Sequence, residues 1–327
     1  MFRPLAMLCV FFLAALALVA TASAAGHGNE APLDPIMGEF AGTLSLANAQ
    51  TVKAEGKVIA DEGGKYRIVI LYPAGDPKAT RIDLAGAGKD GSVAIKDGGA
   101  TGSVSKESLT VKLKQGTAKM ARAQRKSPTL GEQPPAGAVV LLPFEEGKPT
   151  NLDQWAKNQW ICQPDGSVLV RGGDIKTTRE FGDCKLHVEF CVPFMPAARG
   201  QGRGNSGVYM HGRYEIQVLD SFGLTENAGE CAAVYGQKVP CVNSSLPPGQ
   251  WQTYDIDFKA PRFDAGGKQT TGAVITVLHN GVKVIDAFET KNPTGGAWGA
   301  PAKTGPVRLQ DHGNPMRFRN IWLVEEK

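Results

Sequence analysis

The sequence GNSGVYMHGRYEIQVLDS, residues 204–221, predicts two β-strand segments that meet at Gly212. Alternate side chains of a strand lie on opposite faces. Arg213, Glu215 and Gln217 therefore share one face of the second segment, and the residues between them make the other face apolar. An ordinary surface strand can show this alternation. The strand itself is flanked by Asn205-Ser206-Gly207 and by Asp220, which favours a functional site.

The composition of the chain is typical of an all-β protein. It contains 40 Gly and 21 Pro, and segments with a helical period of apolar residues are hard to find. Gly and Pro mark the tight turns between short strands. The formal net charge of +4 is small and the basic residues are scattered. Nothing in this distribution indicates nucleic-acid binding.

The N-terminus predicts an exported protein. Arg3 precedes an apolar run, and the small residues Ala-Ser-Ala at 22–24 form a cleavage site. These features define a secretory signal peptide over residues 1–24. A retained membrane anchor is the alternative, but the apolar run is short for a span of about 20 residues. We therefore expect a periplasmic or extracellular location, with no membrane span after cleavage.

The rest of the chain is long enough for two domains. After a flexible segment at 25–36, short alternating runs fill residues 37–114 and predict a small all-β accessory domain, a sandwich or a barrel. This domain contains no His and no Cys, so we assign it no chemistry. Residues 115–137 are basic and then rich in Pro and Gly, which predicts a linker. The second domain covers residues 138–327.

Strand candidates follow one another at short intervals in the second domain. Asn280-Gly281 between two of them is a strong signal for a two-residue hairpin. Many antiparallel strands with short turns predict two packed sheets, that is, a jelly-roll sandwich. Such sandwiches often bind an extended ligand on a concave sheet face.

The cysteines of an exported protein are free to form disulfides. Five of the six lie beyond the predicted cleavage site, and Cys231 and Cys241 lie close together around a predicted loop. We therefore predict a disulfide between these two, while either Cys184 or Cys191 could reach Cys162. The odd count leaves at least one free thiol. A metal site is the alternative, but no C-x-x-C or paired-His spacing supports it.

Further polar side chains recur on the predicted strands of this domain. Glu189 lies on the strand KLHVEFCV, and Tyr209 and His211 share one parity of the strand before Gly212. Near the C-terminus, one parity of VRLQDHG carries Arg308, Gln310 and His312. Each could be a structural ion pair or turn residue. Burial of several charged groups is costly unless they are paired or have a chemical role. If the strands are neighbours, these residues together therefore indicate a functional site.

Two hydrolase classes do not fit these residues. Jelly-roll retaining glucanases carry E-x-D-x-E on one strand, which supplies two carboxylates as nucleophile and acid. The comparable face here reads Glu215-x-Gln217-x-Leu219, so the second and third carboxylates are missing. A serine hydrolase is also disfavoured, because the sequence around Ser206 is not the G-x-S-x-G elbow.

Five segments in the same order resemble the 3-keto-disaccharide hydrolase domain family. They are GNSGVYMHGRYEIQVLDSFG (204–223), CAAVYGQKVP (231–240), GQWQTYDIDFKAPRF (249–263), TVLHNGVKVID (276–286) and PVRLQDHGNPMRFRNIWL (306–323). The resemblance covers about residues 138–326 and leaves the N-terminal domain outside. It implies a concanavalin-like jelly roll that acts on 3-keto-glycosides, with an oligosaccharide or 3-keto-glycoside as the ligand.

The chemistry of such a substrate needs one base. A ketone at C3 of a sugar acidifies the C2 proton, and removal of this proton lets the C1 substituent leave, after which water can add back. This route needs a general base with a pKa near the working pH. It also needs a cation or donors at the developing enolate oxygen. It does not need a carboxylate pair, which agrees with the missing E-x-D-x-E.

From this chemistry we form a hypothesis for the roles of particular residues. We expect Glu189 or Glu215 to be the base, with Arg213 and His312 stabilising the enolate or assisting the leaving group. The candidates for substrate binding are Asn205, Tyr209, His211, Gln217, Tyr235 and Gln310. No cofactor is certain, but a divalent metal could replace the Arg as electrophile, with the ligand candidates Asp220, Glu189 and His312.

Two other functions use the same predicted face. A non-catalytic carbohydrate-binding module would bind sugar by aromatic stacking and would lack a competent base. A cell-surface interaction protein would use the N-terminal domain as an adaptor. Turnover of a 3-keto-glucoside separates the enzyme from both.

Overall fold

The structure is a computed structural model that describes residues 30–76, 78–156 and 159–326. The predicted signal peptide, residues 1–24, lies outside the described residues. Within the described ranges, no helix is long and apolar enough to cross a membrane. The described chain is nearly all strand, and it forms an N-terminal barrel followed by a two-sheet sandwich. The fold class predicted from the sequence is therefore confirmed.

The N-terminal domain is a closed barrel of eight antiparallel strands. Each strand pairs with the next along the chain, and the last pairs with the first, so no strand edge is left open. Alternate side chains such as Phe40 and Leu44 fill the barrel interior. The strands are β1 (Gly38–Leu46), β2 (Thr51–Asp61), β3 (Lys65–Tyr72), β4 (Thr80–Lys89), β5 (Ser92–Asp97), β6 (Ala100–Val104), β7 (Ser108–Leu113) and β8 (Gly116–Ala123).

The barrel extends beyond the boundary predicted at residue 114. Strand β8 lies in the stretch predicted as linker, and it closes the barrel by pairing with both β7 and β1. Ala118 and Met120 are buried, whereas Lys119 between them is exposed. Basic side chains on the outer face hid this short alternation. The prediction of a linker was therefore wrong for 116–123.

The C-terminal domain contains a large and a small antiparallel sheet. The large sheet has the order β10-β11-β22-β13-β16-β19-β20, with β9 also paired to β22, and the small sheet has the order β12-β21-β14-β15. A separate two-stranded ribbon pairs β17 with β18. The strands are β9 (Val139–Leu142), β10 (Ile161–Cys162), β11 (Val168–Leu169), β12 (Ile175–Lys176), β13 (Cys184–Cys191), β14 (Ser206–Met210), β15 (Tyr214–Val218), β16 (Trp251–Lys259), β17 (Arg262–Phe263), β18 (Gln269–Thr271), β19 (Ala273–His279), β20 (Val282–Thr290), β21 (Arg308–Leu309) and β22 (Arg317–Glu325).

The core of this domain lies between the two sheets. Val188 and Phe190 of β13 and Val208 and Ile216 of the small sheet belong to the same buried apolar cluster. Because side chains alternate along a strand, the neighbours of these residues lie on the outer faces of the sheets. The polar side chains that the sequence singled out therefore lie on outer faces, but on different sheets. Glu189 lies on the large sheet, whereas Tyr209 and Glu215 lie on the small sheet.

The barrel packs directly against the sandwich. Ile59 and Val69 of the barrel form a small buried cluster with Phe222. Polar contacts surround this cluster: the Arg203 guanidinium lies 3.5 Å from Asp61. The burial of apolar and charged groups together indicates a fixed contact between the two domains.

The predicted disulfide between Cys231 and Cys241 is wrong. All five cysteines that the structure describes are free thiols. Cys231 points into the core, where its Sγ lies 3.0 Å from the Tyr254 hydroxyl. Cys241 is exposed, and its backbone N–H donates to the Val284 carbonyl at the edge of the large sheet. The two side chains therefore point to different environments.

Candidate active site

A row of three polar side chains crosses the outer face of the small sheet. In the sheet register, Tyr209 of β14 lies opposite Glu215 of β15 on one side and Arg308 of β21 on the other. Directly opposite side chains lie about 4.5–5.5 Å apart at Cβ and contact each other. The sheet therefore gathers three residues that are far apart in sequence.

The hairpin turn between β14 and β15 sets the register of this row. His211 and Gly212 both have positive φ, +54° and +63°, as a type I′ hairpin turn requires. The Arg213 N–H donates to the Met210 carbonyl and closes the turn at 2.9 Å. His211 thus belongs to the turn and not to the strand. Its ring packs edge-on against the core residue Phe258, so the prediction that His211 shares the face of Tyr209 was wrong.

Glu215 is a buried carboxyl in this row, with only 4% of its surface exposed. The Tyr209 hydroxyl donates to its Oε2 at 2.7 Å. Its Oε1 occupies the space that a side chain at residue 207 would need, because a Cβ on Gly207 would lie 2.5 Å from it. Burial raises the pKa of Glu215 to about 7, although the Tyr209 hydrogen bond and the Arg308 charge oppose the rise.

Arg308 supplies a buried positive charge next to the carboxyl. Its guanidinium carbon lies 3.5 Å from the Tyr209 ring centre and 4.3 Å from that of Trp298, so the cation is stacked between two aromatic rings. The Asp174 carboxylate lies 3.5 Å from Nε. Among the described residues, this Nε has no hydrogen-bond partner. The stack holds the guanidinium plane in one orientation while a donor stays available.

A loop after β20 covers Glu215. Its Thr294 hydroxyl accepts from the Glu215 N–H at 3.0 Å, and Gly295 presents its carbonyl to the Tyr209 hydroxyl at 3.4 Å. Gly296 passes so close that a Cβ would lie 2.9 Å from that hydroxyl. Tyr235 flanks the same place, since its N–H donates to the Glu215 carbonyl at 3.1 Å. The carboxyl is therefore shielded from water on several sides.

Side-chain amides extend the site along the sheet. Gln310 donates to the Tyr209 hydroxyl at 3.3 Å, and its Oε1 is buried without a partner among the described residues. Asn205 donates to the Gln201 carbonyl at 2.7 Å, and its Oδ1 is likewise buried and unpaired. Gln217 donates to the Gln201 side chain at 2.9 Å. The two unpaired oxygens are acceptors that sugar hydroxyls could satisfy.

Arg213 and His312 do not contact the row. Arg213 donates through Nε to the Ala300 carbonyl and through Nη1 to the His211 carbonyl, so it anchors the covering loop to the hairpin. His312 is exposed in the turn after β21. Arg308 occupies the place of a cation beside Glu215 that the sequence analysis had given to Arg213.

Glu189 lies on the other sheet and is not brought to Glu215. It is fully buried, and it accepts from the Gly131 N–H, from Arg319 at 2.7 Å and from Asn320 at 2.8 Å. Burial alone would raise its pKa, but these hydrogen bonds and the neighbouring His187 hold the pKa below its usual range. An ionised carboxylate with this many donors is a poor base.

The three ligand candidates for a metal are also separated. Asp220 is buried in an ion pair with Arg203, at 2.6 Å, while Glu189 is held by Arg319 and His312 is exposed. The structure therefore does not assemble these residues around an ion.

Sequence reasoning included Arg308 in the polar set but gave it no role, and it missed Asp174 and Trp298. Arg308 shares its strand parity with Gln310, so the sequence showed which face it lies on. The sequence did not show which strands would lie next to it. Asp174 and Trp298 lie in loops, where no periodic signal marks a side chain. Trp298 is 43% exposed at the rim, which is unusual for so large an apolar ring.

The arrangement can perform proton abstraction. A carboxyl with a pKa of about 7 is a competent base at neutral pH. The Arg308 cation is a donor for a charge that develops nearby, while the single Tyr209 proton is donated to Glu215. A second carboxylate, that of Asp174, lies beside Arg308, and its charge adds to the rise in the Glu215 pKa.

The solved structures that resemble this chain include one that is informative. It is a crystal structure of a protein from Parabacteroides distasonis ATCC 8503, named a "putative glycosyl hydrolase", with 34% identity and a TM-score of 0.52. The match covers 59% of this chain and 85% of the other. Two further proteins of that organism and that name are 22% and 16% identical, with TM-scores of 0.39 and 0.41. These values are too low to support a conclusion about this chain.

No curated protein matches the chain significantly. The family model of the 3-keto-alpha-glucoside-1,2-lyase-like domain matches residues 138–324, which contain the two-sheet sandwich except for the last residue of β22, and also the row of Arg308, Tyr209 and Glu215. This match spans more than half of the chain and confirms the resemblance found in the sequence. The chain therefore belongs to the 3-keto-alpha-glucoside-1,2-lyase-like domain family.

Proposed function

We propose that this protein is an exported enzyme that cleaves 3-keto-glycosides by abstraction of the C2 proton. The observation that carries the proposal is the buried Glu215, whose pKa of about 7 lets it act as a base at neutral pH beside a fixed hydroxyl and a fixed cation. The family description and the name of the 34% identical relative both concern glycosides, which supports a sugar substrate.

The reaction assigns one step to each group. The Glu215 carboxylate takes the C2 proton, and the electron pair of the C–H bond moves into a C2–C3 double bond with negative charge on the C3 oxygen. Arg308 stabilises that oxygen, and Tyr209 can turn its proton to it once Glu215 has taken the C2 proton. The enolate then collapses, the C1–O bond breaks, and the leaving alkoxide takes a proton from Glu215. Addition of water at C1 of the resulting enone completes a net hydrolysis, while release before addition gives a lyase.

Substrate access requires movement of the covering loop. Glu215 and Tyr209 are only 4% and 1% exposed, so a sugar cannot reach the carboxyl in the closed arrangement. Trp298, which lies on this loop and is exposed, is placed to contact a sugar at the rim. Closure over the substrate would exclude water from the enolate and strengthen its contacts with the donors.

The decisive experiment follows the C2 proton. The protein is incubated with a 3-keto-disaccharide in D₂O, and NMR measures both cleavage and the exchange of the C2 hydrogen. We expect cleavage, and we expect Glu215→Gln to lose both cleavage and exchange. If the wild type left the substrate intact and exchanged no C2 hydrogen, the proposed enzymatic function would be ruled out.

A carbohydrate-binding module is the second candidate, because the exposed Trp298 and the unpaired amide oxygens suit a sugar even without catalysis. In that case the wild type binds a 3-keto-disaccharide or an unoxidised oligosaccharide without turnover. Trp298→Ala would then weaken binding, whereas Glu215→Gln would leave it unchanged. Detection of the mature chain in the periplasm or medium, with its N-terminus near residue 25, tests the exported location.

A further inference from the structure

The segment that leads from the barrel to the sandwich is bound to the outer face of the large sheet. The Ser127 hydroxyl lies 2.6 Å from that of Thr253, and the Thr129 hydroxyl donates to Asp255 at 2.7 Å. The Glu132 carbonyl accepts from Asn320 at 3.0 Å. This segment is therefore held by side chains of the sheet rather than by strand pairing.

Three potential metal ligands meet where this segment crosses the sheet. Glu132, His187 and Asp255 each offer one donor atom, and the three atoms lie within 4.8 Å of one another. Adjacent ligand atoms around one ion at bond lengths of about 2.0–2.2 Å are about 2.8–3.6 Å apart, so a bound ion would require the three side chains to adjust. His187 and Asp255 already approach to 2.6 Å between Nδ1 and Oδ1. These two atoms share a hydrogen bond, so a bound cation would replace that bond and draw the Glu132 carboxylate towards His187 and Asp255.

The histidine is oriented as a metal ligand usually is. Its side chain is 1% exposed, and its ring stacks on Trp322 at 4.9 Å between ring centres. Nε2 is buried without a hydrogen bond among the described residues, and the nearest acceptor is the Glu189 carboxylate at 3.6 Å. A carboxylate behind the second ring nitrogen orients many metal-bound histidines. The carboxylates on both sides of the ring also favour a positive charge there.

We propose that Glu132, His187 and Asp255 bind a first-row divalent cation of the Mn²⁺ or Zn²⁺ class, which fastens the connecting segment to the large sheet. One imidazole nitrogen with two carboxylates suits these ions better than Ca²⁺, which takes oxygen ligands. Glu132 is exposed, so the remaining coordination positions face solvent and would hold water. This site is distinct from the row around Glu215, and it does not depend on the proposed function.

The test uses the untagged full-length protein after treatment with EDTA and removal of the chelator. Isothermal titration with Mn²⁺ should show about one ion bound per chain, and the bound ion should raise the melting temperature. Glu132→Gln and His187→Gln should each weaken Mn²⁺ binding at least about tenfold. Glu146→Gln removes an equally exposed carboxylate elsewhere, and it should leave binding unchanged.

Two outcomes would overturn the assignment. The first is a wild type that binds neither Mn²⁺ nor Zn²⁺, which leaves a protonated His187 between two carboxylates. The second is Mn²⁺ binding that both variants retain, which places the ion elsewhere. If His187→Gln fails to fold, Glu132→Gln decides alone, because its side chain is exposed and its loss leaves the core intact.

Discussion

Glu215 and Glu189 are two buried carboxyls on the outer faces of opposite sheets, and they differ in their partners. Glu189 accepts from two side chains and a backbone N–H, and its pKa is held below the usual range despite burial. Glu215 accepts from one tyrosine hydroxyl, and burial raises its pKa to about 7. Burial alone therefore does not make a base. The number and charge of the donors decide which carboxyl holds a proton.

The largest expected effect comes from the carboxyl with few donors. Glu215→Gln keeps the size of the side chain and an acceptor for Tyr209, but it removes the base. We expect the kcat/KM for a 3-keto-disaccharide to fall by about 10²- to 10⁴-fold. The thermal unfolding of the variant should show that it is folded. Full activity of this variant would show that another residue is the base.

A somewhat smaller loss should follow removal of the cation in the row. Arg308→Met keeps an apolar body between Tyr209 and Trp298 but takes away the charge that opposes the rise in the Glu215 pKa. We expect kcat to fall by about 10²- to 10³-fold, and the pH at which activity is half-maximal should move upward. A fall in kcat with an unshifted pH profile would show that Arg308 does not influence Glu215.

The carboxyl with many donors should affect stability instead. Glu189→Gln leaves Arg319 without its anionic partner, and we expect a loss of about 3 kcal/mol in the free energy of unfolding by urea. Activity below the melting transition should stay close to that of the wild type. If Glu189→Gln instead abolished turnover while the protein remained folded, the contrast between the two carboxyls would fail.

The sequence could predict the two-domain, all-β organisation, because alternation and turn residues are local signals. It could also place Tyr209 and Glu215 on site-bearing strands. It could not show that Arg308 becomes the partner of Tyr209, since this depends on which strands pair across about a hundred residues. The error at His211 has a local cause: the positive φ of the hairpin turn ends the alternation one residue earlier than the pattern suggests.

Glu189 was misplaced for a different reason. Its strand pattern resembles that of Glu215, and only the sheet order shows that the two strands lie in different sheets. Its donors come from the connecting segment and from β22, where the strand register shifts next to Asn320. A shift of this kind lets two consecutive residues, Arg319 and Asn320, reach the same carboxylate. No local pattern in the sequence encodes this contact.

The smallest effect concerns the cost of keeping Glu215 charged. Its pKa is about 4.5 in an unfolded chain and about 7 in the folded protein, so the folded state binds more protons between these values. Stability should therefore fall as pH rises from 4.5 to 7 and then level off. Glu215→Gln removes this cost, and at pH 8 the variant should be more stable than the wild type by about 1 to 3 kcal/mol.

Urea unfolding at pH 5, 6, 7 and 8 measures this difference. At pH 5 most of the wild-type side chain is protonated and neutral like Gln, so the two proteins should be nearly equal in stability. Glu189 has the opposite sign: its lowered pKa makes its contribution present above about pH 4.5 and lost at lower pH. Glu189→Gln should therefore cost most at neutral pH, where Glu215→Gln stabilises most. A flat difference for Glu215→Gln across this range would mean that its carboxyl titrates normally, and the site would then lack the tuned base on which the proposed chemistry depends.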